Sequence, residues 1–392
     1  VLSVTFLAAG LRALSLYLFR RTASGSIAVV IPLLILLNPN VLYLQSTPMT
    51  EPMMFGLALL ALAATDRWIE TPSPRGRRVA GILISLLMLT RYEGWLIAGG
   101  LVGVAAMAHR RRGMRVALAL VPWVVATVLA FLVFSKASTN VWFVAGGFFT
   151  ADNPARQDGA KVYAQIRETT DALGGPALIW AAVVGAVACL VRAPRSPACL
   201  LPVSLVLAGA LPFLAFYDGH PLRVRYMAPL VVAAGALAGY ALWVVPARGR
   251  TLGAAALVAI AIWQRPPLSP DAPVVLEAQW ETPFRDGRRA VTAALARDWD
   301  GTPILASMGS LGHYMQETSA AGFDLKDFLH EGSFDLWLAA TAMPRRHVRW
   351  ILIEEQAEGG DVLAQRARSA SAFLDGFTRV AEGGGVALYR RD

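Results

Sequence analysis

The sequence predicts a polytopic α-helical membrane bundle of about ten membrane segments, followed by a C-terminal extracytoplasmic α/β domain. Hydrophobic residues make up 56% and charged residues 16% of the 392 residues, and the mean hydropathy is +0.50. An ordinary soluble domain carries about 25% charged residues. Long apolar runs recur through residues 1–264, whereas charges recur at short intervals through residues 265–392. We therefore predict a membrane domain over 1–264 and a soluble domain over 265–392.

Each predicted membrane segment is an apolar run that approaches the roughly 20 residues a helix needs to cross the hydrocarbon core. The fourth and fifth runs are short, so we expect them to tilt, to dip into the bilayer or to lie inside the bundle. The runs lie at residues 1–19, 26–44, 50–66, 79–90, 94–108, 115–134, 176–191, 198–217, 227–245 and 251–264.

The C-terminal region alternates strand-like and helix-like segments, which is typical of a small α/β layer. Pro266, Pro267 and Pro270 end the last membrane helix, because proline cannot continue a helix. Predicted strands lie at 302–308 and 349–354, predicted helices at 284–299, 310–318 and 360–374, and a closing hairpin pairs 377–381 with 385–389.

The basic residues of the loops predict which side of the membrane each loop occupies. Short cytoplasmic loops carry an excess of Lys and Arg. The loops assigned to the cytoplasm hold Arg20, Arg21, Arg67, Arg75, Arg77, Arg78, Arg110, Arg111, Arg112, Arg115, Arg192, Arg195, Arg248 and Arg250. The outward loops hold half as many: Arg91, Lys136, Arg156, Lys161, Arg167, Arg223 and Arg225. The net charge of +9 follows largely from this topology. We expect no nucleic-acid partner, since the arginines do not gather with aromatics on one soluble face.

The polar residues suited to chemistry lie mostly on the predicted outward side. Glu51 sits in the polar break 45–52 between two apolar runs, and the turn 91–93 and the loop 217–226 lie on the same side. A carboxylate at this surface can meet a substrate whose tail lies in lipid and whose head lies in water. The asymmetry predicts a functional site at the outward membrane surface.

Three segments resemble the GT-C glycosyltransferases, specifically the glycosyltransferase family 39 type that includes bacterial protein O-mannosyltransferases and aminoarabinose transferases. Residues 38–52, NPNVLYLQSTPMTEP, resemble their second outward loop. Residues 89–95, LTRYEGW, are similar to their mid-bundle turn, and residues 221–229, PLRVRYMAP, to a late outward loop. The resemblance spans most of residues 1–264.

The resemblance implies transfer of a sugar from a polyprenyl-phosphate donor to a lipid, glycan or protein acceptor. It also implies that the enzyme lies in a bacterial inner membrane and contacts membrane lipids, with its active face outside the cytoplasm. The family also has an acidic residue in a first outward loop, ahead of the helix seen here at 1–19. Because the chain starts at Val1 inside an apolar run, we expect the first segments of the protein to be missing from it.

Glu51 is the candidate catalytic residue. By the resemblance it activates the acceptor or binds a metal ion. The alternative is that Glu51 only stabilises the start of the following helix, where an acidic residue contributes about 0.3–1 kcal/mol and Pro52 suits the first turn. The sequence leaves both interpretations open.

Arg91, Arg225 and Arg223 are the candidate contacts of the donor phosphate, since the guanidinium fork matches phosphate oxygens. Of the last two we prefer Arg225, because Tyr226 re-enters the membrane next to it. The alternative is that these arginines cap helices and anchor the bundle in lipid headgroups. Arg12 lies inside the first predicted helix, where a charge is a functional hypothesis by default, with snorkelling as the alternative.

A divalent metal, magnesium or manganese, is the expected cofactor, because hard cations prefer oxygen ligands. The candidate ligands are Glu51, Asp218 and His220. Asp218 and His220 are equally interpretable as turn residues of the loop 217–226.

Two other function classes stay open from the sequence. A transporter or flippase of lipid-linked sugars would carry charges along a central path and often internal repeats, neither of which is evident. A non-catalytic membrane assembly protein would need no acidic residue in the outward loop that precedes the first helix.

Overall fold

A computed structural model describes residues 1–143, 153–311, 314–357 and 360–392. The chain forms two compact units, Val1–Glu277 and Ala278–Asp392. The division falls after the predicted boundary at 264, because the segment that follows the last long helix packs into the first unit. There the Val274 amide donates to the side-chain oxygen of Asn40 at 3.0 Å.

The first unit is built of helices. They are α1 Leu2–Thr22, α2 Gly25–Leu36, α3 Pro39–Gln45, α4 Glu51–Glu70, α5 Pro74–Thr90, α6 Glu93–His109, α7 Met114–Ala117, α8 Val121–Thr139, α9 Gly159–Gly174, α10 Pro176–Arg192, α11 Leu201–Ser204, α12 Ala210–Asp218, α13 Ala228–Val244 and α14 Arg250–Gln264, with α15 Pro273–Ala278 at the boundary. Residues 144–152, between the predicted runs 115–134 and 176–191, lie outside the described part of the chain.

Among the described residues, five helical stretches are long and apolar enough to cross a membrane: Leu2–Thr22, Glu51–Glu70, Val121–Ser138, Pro197–Asp218 and Val224–Val244. Two bent pairs raise the number to seven: α2 with α3, bent by 67°, and α9 with α10, bent by 111°. Gly175 joins the second pair with φ +80°, a backbone conformation that a residue with a side chain rarely adopts.

All ten predicted runs are largely helical, but three of them lie in helices that are below the spanning length and belong to no bent pair. Helices α5 and α6 have 17 residues and α14 has 15. The predicted polytopic helical bundle is confirmed, and by length and composition the described residues hold five to seven spans, against about ten predicted.

Helices α1 and α4 cross in close contact, and this contact fixes the start of α4. A Cβ added to Gly56 would lie 2.0 Å from the carbonyl oxygen of Phe6, and one added to Gly10 would lie 2.6 Å from the Cα of Gly56. Small residues at a crossing let two membrane helices approach closely. Deeper in the bundle the hydroxyls of Tyr17 and Tyr240 share a buried hydrogen bond of 2.5 Å.

The second unit contains a five-stranded sheet. Its strands are β1 Ile304–Ala306, β2 Phe328–Leu329, β3 Trp350–Glu354, β4 Phe377–Gly383 and β5 Val386–Arg391, in the order β2-β1-β3-β5-β4. Strand β1 is parallel to β2 and β3, and β5 is antiparallel to β3 and β4. Its helices are α16 Arg285–Asp298, α17 Met308–Leu311, α18 Met315–Ala320, α19 Asp335–Ala342, α20 Pro344–His347 and α21 Val362–Ser369.

Candidate functional site

Helix α4 begins at Glu51, and the side chain of this residue is buried. Glu51 is 1% exposed, and the adjacent Pro52 suits the first turn of a helix because a proline lacks an amide hydrogen. Thr50, at the cap position, makes no side-chain cap hydrogen bond. A carboxylate in a first turn is favoured by the helix dipole, so part of the position of Glu51 is explained by the helix itself. The groups around it point to more than capping.

Arg91 ends α5 and reaches Glu51. Its Nη1 lies 3.1 Å from Oε1 of Glu51, and its Nη2 lies 2.8 Å from Oε1 of Glu93. Burial acts to lower the pKa of Arg91, but the hydrogen bond and charge of Glu93 and the charge of Glu51 raise that pKa above its ordinary value. The side chain is therefore a permanent cation held between two buried carboxylates. Glu93 was not among the predicted site residues, although it follows Arg91 in the same turn.

Arg225 approaches the same oxygen of Glu51. Its Nε lies 3.7 Å from Oε1 of Glu51, and its side chain is 34% exposed, against 19% for Arg91. Both guanidinium groups lie over the ring of Tyr226, at 5.6 Å for Arg225 and 5.7 Å for Arg91. The structure thus brings together three of the predicted site residues from distant parts of the sequence.

The hydrogen bonding of this cluster is incomplete. Among the described residues, neither carboxylate oxygen of Glu51 has a hydrogen-bond partner, and neither does Nε of Arg225. Leaving a buried polar group without a partner costs about 1–3 kcal/mol, and more for a charged group. Apart from the ion pair between Oε1 of Glu51 and Nη1 of Arg91, the Glu51 carboxylate and the Arg225 Nε thus keep hydrogen-bonding capacity with which they can bind a ligand.

Glu277 fixes the loop that carries Arg225. Its carboxylate accepts the backbone amide of Val224 at 2.6 Å and that of Arg225 at 3.2 Å. Arg223 immediately precedes this 3₁₀ turn, Val224–Met227, in extended backbone with φ −121°. Its assignment to the donor phosphate stays a prediction. Glu277 was missed from the sequence because it lies far along the chain, inside the predicted soluble domain.

A cavity of about 390 Å³ lies beside Arg91. Thr50, Glu93 and Arg91 supply its polar lining, and Tyr92, Trp95 and Phe131 supply an aromatic wall. These three rings contact one another with centroids 5.4–5.9 Å apart. The cavity therefore combines a fixed cation with an apolar surface. This combination suits an amphipathic ligand with an anionic group.

The structure does not assemble the predicted metal ligands. Within the described ranges, no group of three or more His, Cys, Asp or Glu side chains is placed to hold a metal ion, so Glu51, Asp218 and His220 do not form one. Nδ1 of His220 lies 2.7 Å from the carbonyl oxygen of Pro221, and its ring packs 5.7 Å from that of Tyr226. Glu51 is already flanked by two guanidinium groups, whose charge opposes a cation. The expectation of magnesium or manganese stays a prediction without a three-residue ligand set in the described chain.

The fold and the cluster define a polytopic membrane protein with a carboxylate–arginine site at one end of its bundle. No family model and no curated protein matches the chain. It is similar to two solved structures of ArnT from Cupriavidus metallidurans, one bound to undecaprenyl phosphate and one in the apo state. The identities are 15% and 16% and the TM-scores 0.57 and 0.56, over 99% of this chain and 83% of each ArnT chain. The chain therefore has the fold of ArnT, which is the fold that the sequence resemblance implied.

Proposed function

We propose that this protein is a membrane glycosyltransferase that moves a sugar from a polyprenyl-phosphate donor to a lipid, glycan or protein acceptor. The observation that carries the proposal is the buried Glu51 between Arg91 and Arg225, beside an aromatic cavity. The fold supports it, since one of the similar ArnT structures is bound to undecaprenyl phosphate.

The donor phosphate would bind at Arg225 and Arg91. A guanidinium presents a planar fork of donors that matches two phosphate oxygens. Arg225 is the more exposed of the two, and its Nε has no hydrogen-bond partner among the described residues. The prenyl chain would lie against the aromatic wall of Tyr92, Trp95 and Phe131. A phosphate on Arg225 would also draw that arginine away from Glu51.

Glu51 would then act as the general base. The acceptor gives its proton to the carboxylate while its oxygen or nitrogen forms a bond to the anomeric carbon of the sugar. The bond from that carbon to the donor phosphate breaks, and its electron pair stays on the phosphate oxygen. Arg91 and Arg225 stabilise the charge that develops there. A positioned general base contributes about 10²–10⁴-fold. No step of this mechanism requires a metal ion.

The likeness to ArnT supports a multi-pass protein of the bacterial inner membrane, and the arginine distribution supports an orientation in which the active face and the second unit lie outside the cytoplasm. Single cysteines at Gln157 and Gly287 should then react with a membrane-impermeant thiol reagent in intact spheroplasts. A cysteine at Gly113 should react only after lysis. The reverse labelling pattern would overturn this orientation.

The activity is tested with the full chain in membrane vesicles that receive a panel of radiolabelled undecaprenyl-phosphate sugars. Label should move from the lipid fraction to an acceptor with at least one sugar of the panel, and it should stay on the lipid when Glu51 is replaced by Gln. Movement of intact labelled lipid between leaflets without cleavage would support a flippase instead.

A further inference from the structure

A second polar cavity lies towards the other end of α4, away from Glu51. It is a groove of about 500 Å³ between α1, α4 and α5, and three arginines line it: Arg12, Arg67 and Arg75. Arg67 follows Glu51 along the same helix by about 24 Å, at 1.5 Å per residue. The groove is therefore separate from the proposed transferase site.

Arg12 occupies a position in this groove where a charge costs free energy. It lies near the middle of the 21-residue span α1, about 15 Å from either end at 1.5 Å per residue. It is nevertheless exposed on the surface of the bundle. A charge at this depth faces hydrocarbon unless it meets water, a partner or a lipid headgroup, and it marks a functional site by default.

The charge in the groove is not neutralised by the protein. No acidic residue lines it, and within the described chain the side chains of Arg12, Arg67 and Arg75 make no ion pair or hydrogen bond. Arg20 and Arg21, on α1 as well, are instead paired with Asp66. The groove is thus a concentrated positive surface without a partner of its own.

The remaining walls suit an acyl chain and a phosphate. Small and aliphatic side chains cover most of the lining, including Ala9, Ala13 and Leu83. Ser73 and Gly76 bring the first turn of the 17-residue helix α5 to the groove, and a helix N-terminus favours an anion.

We propose that this groove binds an anionic phospholipid, with its phosphate on Arg12, Arg67 and Arg75 and one acyl chain along the alanine-lined wall. The site would lie in the leaflet opposite the Glu51 cluster. A lipid fits better than free phosphate, because Arg12 and most of the wall face the hydrocarbon region. An anionic headgroup fits better than a zwitterionic one, because no carboxylate is present to meet a choline. This inference does not depend on the proposed transferase activity.

The test uses the full chain purified in a neutral detergent and titrated with phosphatidylglycerol, with bound lipid counted by native mass spectrometry. Phosphatidylcholine and inorganic phosphate are titrated in parallel. The triple variant Arg12→Gln, Arg67→Gln, Arg75→Gln is compared with the control Arg77→Gln, Arg78→Gln, Arg111→Gln. The control removes the same charge from arginines of the same membrane side that do not line the groove.

We expect the groove variant to bind phosphatidylglycerol about 100-fold more weakly, at about fivefold per arginine, and the control variant to stay within about threefold of the parent. Arg67→Gln alone should weaken binding about fivefold, which keeps the test valid if the triple variant does not fold. If both triple variants lost the same affinity for phosphatidylglycerol, the binding would reflect general charge attraction and not a site in the groove. Equal affinity for phosphatidylcholine, or full competition by millimolar inorganic phosphate, would likewise overturn the proposal.

Discussion

Helix α4 carries a buried carboxylate near each end, and each carboxylate meets two arginines. Asp66 is 0% exposed, and it accepts hydrogen bonds from Nη2 of Arg20 at 2.9 Å and from Nε of Arg21 at 2.8 Å. Glu51 is 1% exposed and lies 3.1 Å and 3.7 Å from its two arginines, yet neither of its oxygens has a hydrogen-bond partner among the described residues.

The difference separates a structural ion cluster at Asp66 from the proposed binding site at Glu51. At Asp66 both carboxylate oxygens are occupied, and Arg21 also pairs with Glu70 at 3.2 Å, so nothing is left for a ligand. At Glu51 the same kinds of group lie near one another, but beside the 3.1 Å ion pair of Oε1 with Arg91 neither carboxylate oxygen nor the Arg225 Nε has a hydrogen bond among the described residues. A buried cluster that is only partly satisfied is costly, and we attribute that cost to function at Glu51.

The largest expected effect is on stability, at Asp66. Asp66→Asn removes the buried charge that two partly exposed arginines, Arg20 and Arg21, share, and breaking an ion pair of a buried group costs at most about 3–5 kcal/mol. The thermal midpoint of the detergent-solubilised protein should fall clearly, while transfer per folded molecule should be retained. Glu70→Gln, at the 41% exposed neighbour, is the control and should change stability little. If Asp66→Asn lost transfer activity and kept its stability, Asp66 would be functional rather than structural, and it would not differ from Glu51 in the way described.

The next effect concerns the donor phosphate. Arg225→Lys keeps the charge and loses the two-point fork, so the KM for the donor should rise about tenfold, the value of one charge-assisted hydrogen bond of about 1.5 kcal/mol. Arg223→Lys should change the KM less than about twofold. Small and equal effects from both substitutions would mean that this loop only anchors the bundle in lipid.

A smaller effect is expected from the support of that loop. Glu277→Gln keeps one acceptor oxygen for the amides of Val224 and Arg225 and loses the charge. Because Arg225 is then held less firmly, donor KM should rise about threefold, within the about 0.5–1.5 kcal/mol of an ordinary hydrogen bond. Asp271→Asn, on the same connecting segment, is the matched control. A fall in kcat with no change in KM would show that Glu277 does not act through Arg225.

Much of the fold was predictable because apolar runs of sufficient length have few alternatives to helix in a bilayer. Strand β3 and the hairpin of β4 and β5 were also predictable, because their sequence patterns are local. Strand β2 was missed, since Phe328–Leu329 is only two residues long and forms by pairing with β1. The predicted helix 310–318 is divided into α17 and α18, with residues 312–313 outside the described chain.

The site was predictable in part. Glu51, Arg91 and Arg225 stand out as charges in short breaks between apolar runs, and the structure brings them together. Glu93 and Glu277 were not predicted, because their roles depend on contacts that a local pattern does not encode. Asp218 and His220 were assigned to a metal from their proximity in one loop. The structure places the His220 ring against Tyr226, and the assignment to a metal stays a prediction, since the described residues contain no group of three such ligands.

The central claim is that Glu51 takes the proton of the acceptor, and Glu51→Gln tests it most directly. The substitution keeps the size of the side chain and removes its basicity. With the same panel of labelled undecaprenyl-phosphate sugars, the transfer rate should fall about 100-fold or more, while undecaprenyl-phosphate binding and the thermal midpoint stay close to those of the parent. Unchanged transfer with lowered stability would contradict the claim and leave Glu51 as a residue that only stabilises the start of α4.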